Sequence, residues 1–233
     1  MKKILFIGII LLGVFLIYLS TFDKKIFYLS LGDELSLGYN EFNVGDYGYT
    51  DYVKDYLEEI KKLEIYVNSY FKKNLRTTDL IEMIEDNEKA VVNGKDRAIK
   101  NALIKADLVT LSIGHNDVVS KLSLYENYSK EEIYDYLDSF LIDLEKLIKL
   151  VRQYCKEDII FIGFYNTLDE NTDIYFKYLN DKSKKLMGNY DITYLDIYDK
   201  IKNYKTNSFY PTKEGYLYIG KEIESILKQE ILE

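Results

Sequence analysis

The stretch "YLSLGDELSLGYN", Tyr28 to Asn40, decides how this chain is read. Its opening continues the apolar run "KIFYLSL", residues 25–31. A short, nearly unbroken apolar run suits a strand covered on both faces. Gly32 and Asp33 end that run, and "ELSLG" reads as the first turn of a helix. A strand that breaks sharply into a helix presents the residues of the turn at the end of a sheet. Many hydrolases hold a nucleophile there. In this chain the residue after Gly32-Asp33 is Glu34.

Outward from that turn, strand and helix patterns alternate. "YTDYVKDYLEEIKKL" places Tyr49, Tyr52, Val53, Tyr56, Leu57 and Ile60 on one helical face. "EIYVNSY" predicts a second strand, "DLVTLSIG" a third ending at Gly114, "DIIFIGFYN" a fourth and "DITYLDIY" a fifth. "TTDLIEMIED", with Thr77 or Thr78 as its cap, and "KDRAIKNALIKA" predict short helices. The longest helix follows Ser129, which forms a capping box with Glu132. "NTDIYFKYLNDKSKKLMGNY" and "TKEGYLYIGKEIESILKQEIL" predict two more helices. Such alternation argues for an α/β fold, a parallel sheet with helices on both faces in three layers. Ligands then bind at the carboxyl ends of the strands.

Composition narrows the function. The chain has 233 residues, 47% apolar and 30% charged, with a net charge of −8. That length suits one domain beyond the N-terminal segment. No basic block stands out, which argues against a nucleic-acid partner. Cys155 is the single cysteine, so no intramolecular disulfide forms, and its place at the end of an amphipathic run predicts a buried, inert thiol. The 24 tyrosines suit a carbohydrate-stacking surface or, more simply, a codon bias shared with Lys, Ile and Asn.

The N-terminus, "MKKILFIGIILLGVFLIYLSTF", is uncharged from Ile4 to Phe22. A helix of that length spans roughly 28 Å at about 1.5 Å per residue, near the ~30 Å hydrocarbon core. No A-x-A-like site follows. Residues 1–23 are therefore expected to be a transmembrane signal-anchor, with a cleaved signal peptide and a secreted product as runner-up. Lys2 and Lys3 favour a cytoplasmic N-terminus, while Lys24 and Lys25 blunt that bias. The domain of residues 24–233 is expected to be extracytoplasmic, held at the cell membrane by a single pass.

Four blocks fall at the rim of the predicted sheet. They are "LGDEL" after the first strand, "NLRTTDL" (74–80) after the second, "SIGHNDV" (112–118) after the third and "NSFYPTKEGY" (207–216) before the last helix. In order and context they resemble the SGNH (GDSL) hydrolase family, from Lys25 to the C-terminus. The resemblance implies a flavodoxin-like SGNH-hydrolase sheet and an esterase or lipase ancestry, including enzymes of acetylated cell-wall sugars. It also implies roles by position. Glu34 stands where the family has its Ser nucleophile. Asn74 stands where a Gly supplies an oxyanion-hole amide. Asn116 matches the Asn that donates its side chain to that hole. Tyr210 stands for the base His, and Asn207 for the Asp that orients it. Gly32, Asp33, Leu35, Gly114, Asp117, Pro211, Gly215 and Tyr216 match.

These substitutions remove the family mechanism. A Ser nucleophile needs an adjacent base, and the base needs a carboxylate to hold its tautomer. Tyr titrates near about 10 and is a poor base at neutral pH. A Glu nucleophile for glycosides would need a second carboxyl roughly 5–9.5 Å away. Glu34 at a helix start has two readings: it folds into the oxyanion hole and accepts from Asn116 and Tyr210, or it points to solvent. Ser36 is expected in the first helical turn, facing away, and Ser30 inside the strand, so displaced catalysis would rest on His115, the only histidine, paired with a displaced Ser or with Glu34. No cofactor is implied. One His and no Cys cluster leave only Asp33, Glu34 and Asp117 for a hard cation such as Ca²⁺, and their spacing does not demand one.

The expected function is a membrane-anchored SGNH-family protein that no longer hydrolyses esters and binds a cell-envelope carbohydrate, an acyl ligand or a protein. One alternative is an active hydrolase using Glu34 and His115. Another is a purely structural envelope component.

Overall fold

The computed structural model describes residues 24–204 and 209–231. The expected anchor, residues 1–23, and Asn207 lie outside them. Among the described residues no helix is long and apolar enough to cross a membrane.

Strand β1 (Ile26–Gly32) is buried along its whole length. Its side chains alternate between two cores. Phe27, Leu29 and Leu31 face one, while Ile26 and Tyr28 face the other. The same alternation carries through β5 (Leu108–Ser112) and β6 (Asp158–Ile162): Val109, Leu111, Ile159 and Phe161 against Leu108, Ile160 and Ile162. Covering both faces is what makes these strands read as continuous apolar runs. With β2 (Leu63–Val67) and β7 (Thr193–Leu195) they form one parallel sheet in the order β2-β1-β5-β6-β7. That order is the flavodoxin-like arrangement, with β5 in the middle and β1 between β2 and β5.

On the first face lie α2 (Thr77–Glu85), α3 (Ile99–Lys105), α5 (Lys130–Tyr154) and α6 (Asp173–Gly188). On the second lie α1 (Tyr49–Glu59) and α8 (Lys213–Ile226), packed against each other. The three layers and all five predicted strands are present. The capping box of α5 forms as read: Ser129 N–H donates to Glu132 Oε2 (2.8 Å) and Glu132 N–H to Ser129 Oγ (3.2 Å). Cys155 is fully buried, and burial pushes its thiol up.

Three local readings change. The segment "KDRAIKNALIKA" is not one helix. Lys95–Ala98 is strand β4, paired antiparallel with β3 (Lys89–Val92) across Asn93-Gly94, and only Ile99–Lys105 is helical. Both turn residues sit at positive φ, 50° and 74°, the conformation an Asn-Gly hairpin turn requires. The cap position of α2 is Arg76, so Thr77 is already in the helix. An unanticipated helix, α4 (His115–Leu122), begins directly after Gly114, and a short α7 (Tyr198–Ile201) precedes the last helix.

The second core is not wholly apolar. Tyr28 Oη pairs with Thr110 Oγ1 (2.9 Å), Tyr49 donates to Ser112 Oγ (3.2 Å) and Tyr66 to Thr50 Oγ1 (2.7 Å). Thr50 in turn donates to the carbonyl of Ser36 (2.6 Å). Buried hydroxyls need such partners, and these chains lock the underside of the turn after β1.

Candidate functional site

The turn after β1 is built on close backbone approach. A Cβ on Gly32 would lie 2.3 Å from the carbonyl oxygen of Ser112, so only glycine fits. Asp33 N–H then donates to that same carbonyl (2.8 Å). Asp33 caps the following 3₁₀ turn, Glu34–Leu37, by accepting from Leu35 N–H (3.2 Å). Ser36 closes the turn, its Oγ donating to the Asp33 carbonyl (2.7 Å), and is buried there. Ser30 is buried inside β1.

This frame aims Glu34 inward. The residue is only 2% exposed, so the solvent-pointing reading does not hold. Its Oε1 accepts from the backbone N–H of Asn74 (2.6 Å), and its Oε2 from Asn116 Nδ2 (2.9 Å). The second hydrogen of Asn116 goes to the Leu75 carbonyl (3.0 Å). Asn116 therefore donates as expected. The other expected donor, Tyr210, turns its hydroxyl to Asn43 Oδ1 (3.3 Å), and the Asn74 amide takes the second carboxylate oxygen.

Each donor is held by its local backbone. Asn74 has φ 57°, left-handed. Asn is one of the few non-glycine residues that adopt this conformation readily, so it keeps the amide where a glycine would place it. Gly114 has φ 95°, and a Cβ there would meet the Phe140 ring at 2.5 Å. It lets β5 turn directly into α4, which puts Asn116 in the first turn. One residue on, Asp117 Oδ2 accepts from Thr77 N–H (3.0 Å) and Oγ1 (3.2 Å). That contact ties α4 to the start of α2 and fixes the loop carrying Asn74.

The electrostatics follow from burial. Asp33 is held well above the usual carboxylate range by desolvation and next by the Glu34 carboxylate, and its Oδ2 has no hydrogen-bond partner. Burial also raises Asp117. Burial, then the charges of Glu34 and Asp33, push the Tyr210 hydroxyl up to about 12, away from service as a base at neutral pH. The Tyr210 ring leans on Tyr39 at 5.7 Å. His115 opens α4 and stacks on Tyr165 (4.6 Å, 16°), with Nε2 3.4 Å from Thr167 Oγ1. Among the described residues no three His, Cys, Asp or Glu side chains converge as metal ligands.

The structure thus brings together Glu34, Asn74 and Asn116, and sets Tyr210 beside them on the Asn43 loop. The backbone amide at position 74 was implied by the resemblance, but that Glu34 would be its acceptor, in place of a bond from Tyr210, was not anticipated. Asn at the position of an expected glycine was the available signal.

The GDSL-like Lipase/Acylhydrolase family matches residues 30–217. No curated protein matches the chain. Among solved structures, a lipase from a goat rumen metagenome superimposes with a TM-score of 0.72 at 19% identity, covering 88% of this chain and 99% of that one. The acetylxylan esterase Axe2 from Geobacillus stearothermophilus gives 0.63 at 17% identity, covering 87% and 94%. A lipase/acylhydrolase from Enterococcus faecalis gives 0.60 at 17%, covering 88% and 95%. At these identities the likeness is one of fold.

Proposed function

Since this chain belongs to the GDSL-like lipase/acylhydrolase family, we propose that it is a member without ester-hydrolysing activity, whose oxyanion hole is occupied by its own Glu34 carboxylate. The observation that carries this reading is the pair of contacts to the Asn74 amide and Asn116 Nδ2 from a side chain only 2% exposed. An oxyanion hole works by donors aimed at the charge that develops on the substrate. Donors already satisfied by a carboxylate are not open to a substrate carbonyl. The nucleophile position carries no hydroxyl, and the base position carries a phenol raised away from neutrality.

On this reading the fold is kept for binding at the cell envelope. Residues 1–23 anchor the protein in the membrane and residues 24–233 form the extracytoplasmic domain, with a carbohydrate, an acyl group or an envelope protein as partner. A lipase and an acetylxylan esterase share this fold, which puts an acyl group or a carbohydrate first among the ligands to test.

The test is turnover. Full-length protein in detergent is expected to leave p-nitrophenyl acetate and butyrate at the buffer rate. Turnover abolished by Glu34→Gln or His115→Ala would establish displaced catalysis and overturn the reading.

A further inference from the structure

With the ancestral centre filled, an open cavity lies beside it. It measures about 190 Å³ and sits between the loop after the Glu34 turn and the start of α8. Its wall includes Glu41, Asp46, Tyr47, Pro211, Lys213 and Tyr216. We infer that this cavity is a binding site for a single neutral sugar ring. The inference rests on the reading that Glu34 closes the old cleft, and it moves ligand binding to the space between the fourth block and the loop after the Glu34 turn.

The chemistry of the wall selects the ligand. Glu41 and Asp46 accept no hydrogen bond and form no ion pair among the described residues, and Lys213 forms none. Two carboxylates oppose an anion, and one ammonium opposes a cation. A neutral polyol satisfies both signs, because each hydroxyl both donates and accepts. The aromatic part of the wall is fixed in advance. Tyr47 donates its hydroxyl to Asp55 and packs edge-on against Tyr52 at 4.8 Å. Tyr216 donates to the Tyr39 carbonyl (2.7 Å). With its hydroxyl engaged elsewhere, what half-buried Tyr47 offers the cavity is ring surface, while Tyr216, only 2% exposed, backs the wall from the core. Such surface covers the C–H face of a sugar at little cost in side-chain freedom. The volume is below the roughly 300–1,000 Å³ of drug-sized ligand sites, which limits the occupant to one small ring.

The cavity is coupled to the filled centre. Tyr39, whose carbonyl holds Tyr216, also leans on Tyr210, and Tyr210 is bonded to Asn43 in the same loop.

The experiment is saturation-transfer difference NMR on the full chain in a polyoxyethylene detergent. The probes are the methyl glycosides of glucose, N-acetylglucosamine and xylose, with tetramethylammonium and inorganic phosphate as charged comparators. Saturation transfer to at least one glycoside is expected, and Glu41→Ala/Asp46→Ala, both on exposed positions, is expected to weaken that binding at least tenfold. Pro211→Trp, which fills the wall, provides a second variant expected to lose the signal. Absence of transfer to all three glycosides, preference for either charged comparator, or binding untouched by both variants would each overturn the assignment. Turnover of p-nitrophenyl acetate in the same sample would instead overturn the filled-centre reading, and so separates the two failures.

Discussion

Replacing Glu34 by Ala should empty the oxyanion hole and make it accept an added anion. The carboxylate receives two charge-assisted hydrogen bonds, at 2.6 and 2.9 Å. Each is worth about 1.5–3 kcal/mol. Asn116 keeps its bond to the Leu75 carbonyl, and Asn74 is exposed enough for its amide to find water, so the low end of that range applies. Removing the charge also relieves Asp33, which Glu34 pushes up. A net loss of about 2–3 kcal/mol results. For a domain of this size that lowers Tm by roughly 4–12 °C. Acetate should then replace the missing carboxylate. At ten times its Kd it restores about 1.4 kcal/mol, a rise of roughly 3–6 °C. The assay is thermal unfolding of the full chain at constant ionic strength, sodium acetate against sodium chloride. Wild type should show no acetate-specific shift. A variant as stable as wild type, or an acetate shift equal in both proteins, would refute the reasoning.

Three further outcomes follow from the same geometry. Restoring the family residues together (Glu34→Ser, Tyr210→His, Asn207→Asp and Asn74→Gly) should raise p-nitrophenyl acetate hydrolysis on the order of 100-fold over wild type, the lower end of what a positioned base contributes; no gain at all would mean that the frame no longer holds a working centre. Asn74→Val should cost about 1–3 kcal/mol in urea unfolding because its φ is 57°, while Asn74→Gly should be tolerated. Asp33→Asn should change the pH profile of stability. A folded-state value raised above the ordinary 3.8 means that the contribution of Asp33 is full below that pH and is lost as pH rises through the folded value. The variant should therefore gain on wild type in urea midpoint from about pH 4 upward, and parallel profiles would show that Asp33 does not titrate differently on folding.

The parts of this molecule that were legible in the sequence are those where burial writes a pattern. β1, β5 and β6 are covered on both faces, so their sequences are unbroken apolar runs. The hairpin of Lys89–Val92 and Lys95–Ala98 was misread because its strands are short, charged and mostly exposed, and a helical pattern ran into it from Ile99. Asn93-Gly94 marked the turn all the same. α4 was hidden because it starts inside the "GHNDV" block, and along its whole length only Val118 and Leu122 are apolar and fully buried. The abundance of tyrosine, read as codon bias, has a structural use in part: Tyr28, Tyr49 and Tyr66 carry the buried hydroxyl bonds under the Glu34 turn. At the site, the pairing of Glu34 with Asn116 was one of two readings the sequence left open, offered by the resemblance that put both residues at one hole. The amide of residue 74 was marked by the glycine position it fills, whereas its bond to Glu34 depended on a left-handed backbone angle that Asn permits but does not announce.

The most direct measurement is hydrogen exchange at the Asn74 amide of the full-length protein, read by NMR. Asn74 is an exposed residue in a loop, so its amide has no reason to be slow unless Glu34 holds it. The account predicts a downfield amide proton that exchanges slowly and becomes fast in Glu34→Ala. An amide exchanging at the rate of an open loop in wild type would contradict it.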